Sequence, residues 1–121
     1  MTSKKKQSWI IELSIIIPVK DEAETINRLA GEIDEAMASV SYEWECIWVD
    51  DGSTDGTLSK LESLNSRDAH HQFVTLSKNY GQSAALIAGF DVARGRLLAT
   101  LDGDGQNDPR DLPGLAARLI E

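Results

Sequence analysis

The feature that most constrains the fold is an alternation of short apolar runs with longer segments of helical periodicity. Residues 13–19 form a continuous apolar run rich in β-branched side chains, which is typical of a buried parallel strand. Residues 21–40 follow with apolar side chains at helical spacing. Further strands are predicted at 44–49, 73–76 and 97–101, and further helices at 54–66, 83–93 and from near 111. This pattern predicts an α/β fold, a mostly parallel sheet of about four strands with helices on both faces.

Three polar segments follow predicted strands directly. They are residues 20–22, 50–53 and 102–105, and two of them contain glycine. In parallel α/β sheets, ligands bind beyond the carboxyl ends of the strands. The sequence therefore predicts that these three segments converge at one edge of the sheet and form a binding site there.

The last of these segments has the composition of a divalent-cation site. Asp102 and Asp104 are one residue apart, and Gly103 and Gly105 permit the turn that lets both carboxylates face one ion. Such hard oxygen ligands suit Mg²⁺ or Mn²⁺ bound together with substrate phosphates, and Gln106 could add a carbonyl oxygen. The alternative is a polar loop in which the aspartates cap the turn and the next helix.

Residues 51–62 admit a second interpretation, an EF-hand calcium loop. The match consists of Asp51, Ser53, Asp55, Gly56 and Glu62 at loop positions one, three, five, six and twelve. An EF-hand needs a helix before the loop, whereas a strand is predicted here. In the α/β interpretation, Asp51 points toward a bound base or ribose, and Ser53 or Thr54 caps the following helix.

The remaining polar segments have weaker signals. Pro18 is predicted to end the first strand because it cannot donate to the ladder, and Asp21 to cap the next helix. Residues 79–86 place a glycine turn before an alanine-rich helix, so backbone N–H groups could face phosphate; ordinary loop packing is the alternative. His70 and His71 are predicted to lie in a solvated loop without a role.

Composition excludes some classes of protein. The net charge of −8 argues against nucleic-acid binding, which needs a basic surface. The single cysteine, Cys46, permits no intrachain disulfide, which fits a reducing compartment. Because it lies in an apolar run, it is predicted to be a small core residue. No apolar run approaches the ~20 residues of a membrane span. Residues 1–11 are predicted to be a solvated tail; the alternative is a contact between its lysines and anionic lipid.

Four motifs occur in a characteristic order. They are IIIPVKDE at 15–22, VDDGSTDGT at 49–57, NYG at 79–81 and LDGDGQ at 101–106. Together they resemble family-two glycosyltransferases of the GT-A fold, and in particular the polyprenyl-phosphate branch, which includes dolichol-phosphate mannosyltransferase and undecaprenyl-phosphate sugar transferases. The resemblance covers residues 12–121. It implies a Rossmann-like nucleotide-sugar-binding subdomain that is truncated before the part of the domain that holds the acceptor.

The resemblance also implies roles by position. It assigns nucleotide-sugar binding to Pro18, Lys20, Glu22, Val49, Asp51, Asp102, Gly103 and Asp104. It assigns metal binding to Asp102, Asp104 and Gln106, and it makes Asp102 and Asp104 the catalytic pair. Lys20 departs from the family pattern, which often has tyrosine or phenylalanine before Asn-Glu, so a contact with charge is expected there in place of stacking.

The implied function is transfer of a sugar, with inversion, from a nucleoside-diphosphate sugar to a polyprenyl phosphate. Mg²⁺ or Mn²⁺ is the expected cofactor, since a metal can neutralise the leaving diphosphate. The expected location is the cytoplasm, at the cytoplasmic face of the membrane. Open sheet edges suggest either self-association or a missing C-terminal half. The alternatives are a calcium-binding module at 51–62 and a nucleotidyltransferase, which usually has a glycine-rich basic loop where this chain has residues 20–24.

Overall fold

The computed structural model shows the predicted alternation of strands and helices, and it describes residues 10–103 and 108–114. Within these ranges the elements are β1 (Leu13–Val19), α1 (Ala23–Met37), β2 (Trp44–Asp50), α2 (Thr57–Arg67), β3 (His71–Thr75), α3 (Gln82–Val92) and β4 (Leu97–Thr100). A 3-10 turn at Pro109–Asp111 leads into helical residues 112–114. The prediction of an α/β fold is confirmed.

The sheet has the strand order β3-β2-β1-β4, and each neighbouring pair is parallel. The central strands β1 and β2 pair along their whole length, from Leu13 opposite Trp44 to Val19 opposite Asp50. β2 is buried throughout, as a strand covered on both faces should be. β1 therefore lies between β2 and β4, so the loops that follow these three strands are neighbours.

Helices cover both faces of the sheet, as predicted. Ile15 and Ile17 of β1 belong to the core formed with α1 and α2, whereas Ile16 belongs to the core formed with α3. The contact with α3 is close, because a Cβ added at Gly89 would lie 2.5 Å from Cγ2 of Ile16. Cys46 is fully buried in the first core, as predicted, and burial raises the pKa of its thiol well above the ordinary value.

Pro18 lies inside β1, so the prediction that it ends the strand is wrong. Successive residues of a strand direct their backbone groups to opposite neighbouring strands, so residues two apart face the same neighbour. The carbonyl of Ile16 accepts the N–H of Leu101, which places the backbone of Pro18 on the β4 side as well. Pairing with β4 ends at Thr100, opposite Ile16, so the missing N–H of Pro18 removes no ladder bond.

The predicted capping roles at the carboxyl edge are also wrong. Glu22 and Gly56 precede the first residues of α1 and α2, and neither makes a side-chain cap bond. Ser53 Oγ instead accepts the backbone N–H of Asp21 at 2.8 Å, and Oδ1 of Asp21 accepts the N–H of Thr54 at 2.8 Å. These side chains join the loops after β1 and β2 to each other, because the sheet brings the two loops side by side.

His71 is not in a solvated loop, because it is the first residue of β3 and only 1% exposed. Its Nδ1 accepts the indole N–H of Trp48 at 3.0 Å, and its Nε2 lies 2.8 Å from Oδ1 of Asp34. His70 is half-buried and stacks on Trp44, with ring centroids 4.1 Å apart. Both histidines therefore help to close the amino edge of the sheet.

Across the part of the chain that the structure describes, no helix combines the length and the apolar character needed to cross a bilayer.

Candidate active site

A cavity of about 420 Å³ opens where the loops after β1, β2 and β4 meet the start of α3. Its described lining consists of Pro18 and Val19 at the end of β1, Lys20 and Glu22 after β1, Asp51 after β2, Asn79, Gly81 and Gln82 before and at the start of α3, and Asp102 and Gly103 after β4. Six of the residues predicted for the site thus surround one space. The geometry is the one expected when parallel strands end at a common edge.

Three predicted site residues do not contribute to this described lining. Val49 is fully buried and packs in the core beneath α3, so its side chain faces the interior. Asp104 and Gln106 lie outside the described residues, so their predicted metal-binding roles stay predictions. Gln82 belongs to the segment 79–86 that the sequence suggested for phosphate, but its side chain was not assigned to the site; it lies at this edge directly after the turn at Gly81.

Asp51 is a buried carboxylate that shapes one wall of the cavity. It is 5% exposed. Its Oδ1 accepts the N–H of Tyr80 at 2.8 Å, and its Oδ2 accepts the N–H of Gly81 at 3.0 Å. Gly81 has a φ of 101°, a conformation that glycine adopts without steric cost. Two backbone N–H groups of the segment 79–86, which the sequence suggested for phosphate, are therefore bonded to Asp51, which holds the start of α3 against β2.

The EF-hand interpretation of residues 51–62 is wrong. β2, and not a helix, enters the loop. Asp51, which would be the first calcium ligand, has both oxygens bonded to backbone amides. Asp55 accepts the N–H of Thr57 at 2.9 Å, so its carboxylate is bonded to the first residue of α2.

Asp21 connects the loops after β1 and β2. It has a φ of 54°, in the left-handed region that non-glycine residues rarely adopt. Besides its bonds to Ser53 and Thr54, its Oδ2 lies 2.8 Å from Nζ of Lys20. The hydrogen bond between the two side chains raises the pKa of Lys20 and lowers that of Asp21, so both are charged at neutral pH. The two chain neighbours of Asp21, Lys20 and Glu22, line the cavity.

The loop after β4 is packed tightly on β1. Gly103 is buried, and a Cβ there would lie 2.6 Å from Cγ1 of Val19 and 2.8 Å from the carbonyl oxygen of Pro18. Oγ1 of Thr25 lies 3.2 Å from the carbonyl oxygen of Gly103 and 3.3 Å from Oε2 of Glu22. Thr25, which the sequence did not indicate, therefore lies between the glutamate of the first loop and the Asp102-Gly103 turn.

Asp102 stands exposed at the rim of the cavity, immediately before this turn. Nε2 of Gln82 donates to its Oδ1 at 3.4 Å. The close packing of Gly103 fixes the backbone there, and a carboxylate oxygen on a fixed loop is a suitable ligand for Mg²⁺ or Mn²⁺. Among the described residues, Asp102 thus fits the divalent cation that the sequence predicts.

Another group of potential ligands lies at the opposite, amino edge of the sheet. Asp34, Asp68 and His71 have ligand atoms within 4.8 Å of one another. The indole of Trp48 can only donate, so Nδ1 of His71 must accept, and the ring proton lies on Nε2, facing Asp34. A metal on Nε2 would require the proton on Nδ1, where it would oppose the Trp48 N–H. We therefore interpret this group as a hydrogen-bonded network that joins α1, α2, β2 and β3.

Comparison with known proteins identifies the family. The profile of glycosyl transferase family 2 matches residues 14–121. The chain belongs to glycosyl transferase family 2. It is 44% identical over 110 residues to the dodecaprenyl-phosphate galacturonate synthase of Rhizobium johnstonii, a match that covers 90% of this chain and 32% of that protein. It is 38% identical over 113 residues to the undecaprenyl-phosphate 4-deoxy-4-formamido-L-arabinose transferase of Salmonella choleraesuis, covering 93% of this chain and 35% of that one.

Solved structures confirm that this family-2 chain has the GT-A fold. The mannosyltransferase PcManGT from Pyrobaculum calidifontis, in complex with GDP-Man and Mn²⁺, superposes with a TM-score of 0.73 at 24% identity, over 95% of this chain and 35% of that one. TarS 1-349 from S. aureus, in complex with UDP-GlcNAc, gives 0.71 at 24% identity, over 91% and 31%. The chain spans about a third of the length of the curated relatives it matches.

Proposed function

We propose that this chain is the donor-binding part of an inverting glycosyltransferase that moves a sugar from a nucleoside-diphosphate sugar to a polyprenyl phosphate. The proposal rests on the cavity of about 420 Å³ at the carboxyl edge of the sheet, which is lined by Glu22, Asp51 and Asp102. Membership of family 2 supplies the reaction class. A nucleotidyltransferase is not supported, because the family match and the fold neighbours are glycosyltransferases.

The order of the strands suggests how the donor lies. The resemblance of the motifs implies that the base and ribose lie beside Asp51 and the diphosphate beside Asp102. Because β1 separates β2 from β4, such a donor crosses the carboxyl end of β1. Asp102 would hold the divalent cation, Mg²⁺ or Mn²⁺, together with Asp104 and Gln106 as predicted from the motif. When bound, the ion neutralises charge that develops on the leaving diphosphate. Thr25 and Gly103 keep the Asp102 turn seated against β1.

The proposed acceptor follows from the names of the two relatives, both of which act on a polyprenyl phosphate. A phosphate is anionic at neutral pH and attacks the anomeric carbon without a strong general base. The described cavity residues accordingly need to bind and orient the donor, rather than to remove a proton. Because such an acceptor is embedded in a bilayer, we propose that the protein works at the cytoplasmic face of the membrane.

The proposal is tested by calorimetric titration of UDP and GDP into the protein, with Mn²⁺ and with EDTA. One nucleotide should bind in a metal-dependent manner, and Asp102→Asn should weaken that binding about tenfold or more, because a ligand of the ion loses its charge. Asp91→Asn, a change at an exposed residue of α3, is the matched control and should bind as wild type does. A folded protein that binds neither nucleotide would contradict the proposal.

A further inference from the structure

Thr25 contacts two loops of the cavity from behind. It is the third residue of α1 and is not among the described lining residues, whereas Glu22, Asp102 and Gly103 are. Its hydroxyl lies 3.2 Å from the carbonyl oxygen of Gly103, which is 78 positions away in the chain. Because Gly103 follows Asp102 directly, a bond to its carbonyl acts on the turn that carries the candidate metal ligand.

The hydroxyl of Thr25 has one hydrogen and three acceptors within reach. Oγ1 lies 3.1 Å from the backbone carbonyl oxygen of Glu22, 3.3 Å from Oε2 of Glu22 and 3.2 Å from the carbonyl oxygen of Gly103. All three distances exceed the usual length of an O–H···O bond, which is about 2.5–3.0 Å. Since the hydroxyl donates one bond at a time, the three oxygens share a single hydrogen.

Two of these acceptors compete for the hydrogen. The backbone carbonyl of Glu22 already accepts the N–H of Thr25 at 3.0 Å, so it has a partner without the hydroxyl. Of the other two, the carboxylate of Glu22 is the stronger acceptor, because a bond to a charged group is stronger than a bond to a neutral carbonyl. Gly103 therefore accepts the hydroxyl fully only when another donor occupies that carboxylate. Glu22 lines the cavity, where a hydroxyl group of a nucleotide sugar can donate to it.

We propose that Thr25 is a positioning residue that couples Glu22 to the Asp102 turn. A ligand hydroxyl that donates to Glu22 releases the hydrogen of Thr25 to the carbonyl of Gly103, and this bond fixes the turn for binding of the cation. Donor binding at Glu22 thereby raises the affinity for the cation, and the cation raises the affinity for the donor by the same factor. The inference rests on the proposed function, because it assumes that the cavity binds a nucleotide sugar and a divalent cation.

The position of the hydrogen is followed through the carbonyl ¹³C chemical shift of Gly103, which rises when that oxygen accepts a hydrogen bond. In the ligand-free protein, Glu22→Gln keeps the shape of the side chain and replaces the charged acceptor by a neutral amide. We expect this variant to raise the Gly103 shift, because the weaker acceptor no longer holds the hydroxyl of Thr25. In the Thr25→Val background, which has no hydroxyl, Glu22→Gln should leave the shift unchanged. An equal change in both backgrounds, or no change in either, would overturn the inference.

The second measurement is the affinity for Mn²⁺ at saturating UDP or GDP. We expect Thr25→Val to weaken Mn²⁺ binding about threefold to tenfold, as for the loss of one neutral hydrogen bond. Thr25→Ser keeps the hydroxyl and should retain the wild-type affinity. Thr75→Val, the same change at an exposed residue of β3, is the matched control and should also bind as wild type does.

Equal Mn²⁺ affinities of wild type and Thr25→Val would overturn the inference, as would an equal loss in Thr25→Val and Thr25→Ser. Neither result would touch the proposed function, which fails only if wild type binds no nucleotide. The chemical shift of Gly103 is measured without any ligand, so it tests the shared hydrogen even in that case.

Discussion

Oδ2 of Asp51 accepts the backbone N–H of Gly81 at 3.0 Å and thereby joins the carboxyl end of β2 to the start of α3. The second oxygen of the same carboxylate accepts the N–H of Tyr80. Asp51 therefore does more than line the cavity. It fixes the position of the segment that forms the opposite wall, so the shape of the candidate site depends on this one buried side chain.

Asp51→Asn should destabilise the protein and weaken nucleotide binding together. The amide would turn an NH₂ group toward one of the two backbone N–H donors, leaving a buried hydrogen-bonding group without a partner. The expected loss of unfolding free energy is about 1–3 kcal/mol, measured by urea denaturation. The exposed change Asp91→Asn should stay within about 0.5 kcal/mol. Unchanged unfolding and unchanged binding in Asp51→Asn would show that the bonds to Tyr80 and Gly81 are unimportant.

Gly103→Ala should displace the Asp102 turn. A Cβ at this position would lie 2.6 Å from Val19 and 2.8 Å from the carbonyl oxygen of Pro18, which belongs to rigid backbone. We expect a loss of about 1–3 kcal/mol in unfolding free energy and a loss of metal-dependent nucleotide binding.

Gly31→Ala is the matched control for this substitution, because a Cβ at Gly31 meets nothing within 4 Å. Gly31 lies inside α1, where alanine is favoured over glycine by about 0.5–1 kcal/mol, so this variant should be as stable as wild type or more so. If Gly103→Ala binds nucleotide as Gly31→Ala does, the turn at Gly103 does not position the metal site.

His71→Leu should affect stability without affecting the cavity. The substitution removes the acceptor of the buried Trp48 N–H and the donor to Asp34, at the edge of the sheet opposite the cavity. We expect a loss of about 1–3 kcal/mol in unfolding free energy, since the Trp48 N–H would be left unpartnered. Nucleotide affinity, measured at a temperature where the variant is folded, should be unchanged. A variant that keeps its stability but loses metal-dependent binding would point instead to a metal at His71.

The contribution of Asp21 to stability should depend on pH in the acid range. The hydrogen bond from Lys20 lowers the pKa of Asp21 in the folded protein below its ordinary value of 3.8. A group with a lowered folded pKa stabilises the fold above its unfolded pKa and loses that effect as the pH falls through its folded pKa. The contribution is therefore complete above pH 3.8 and declines below it.

Asp21→Asn, which tolerates the same left-handed conformation, should remove this part of the pH dependence. Urea midpoints of wild type and Asp21→Asn, measured across the acid range, check the prediction. The two curves should be separated above pH 3.8 and approach each other below it. A constant difference between the two urea midpoints at every pH would mean that the charge of Asp21 does not stabilise the contact between the loops after β1 and β2.

The sequence predicts the strands and helices well because their signals are local. The apolar run from Leu13 to Val19 indicates a buried strand without any knowledge of its neighbours, and the order of the motifs identifies the family. Apart from Pro18, the errors concern polar residues whose partners are distant in the chain. Asp21 bonds to Thr54, 33 positions away, and His71 bonds to Asp34, 37 positions away. Periodicity carries no information about such pairs.

The candidate site, too, could be predicted from the sequence only in part. Strand ends could be predicted to converge, so Lys20, Glu22, Asp51 and Asp102 were expected at one edge. The engagement of both oxygens of Asp51 by backbone amides could not be expected, because it depends on the path of the loop between β3 and α3.

The proposed function requires that the carboxyl-edge cavity bind a nucleotide together with a divalent metal ion. It is tested most directly by locating Mn²⁺ through its broadening of backbone amide signals in NMR spectra, with UDP or GDP present. We expect substoichiometric Mn²⁺ to broaden the amide signals of Asp102 and Gly103 most strongly and that of Lys20 next. The amide of His71, at the other edge, should keep its intensity. Broadening centred on His71 and Asp34, or broadening that is the same without nucleotide, would show that the metal–nucleotide complex does not bind in this cavity.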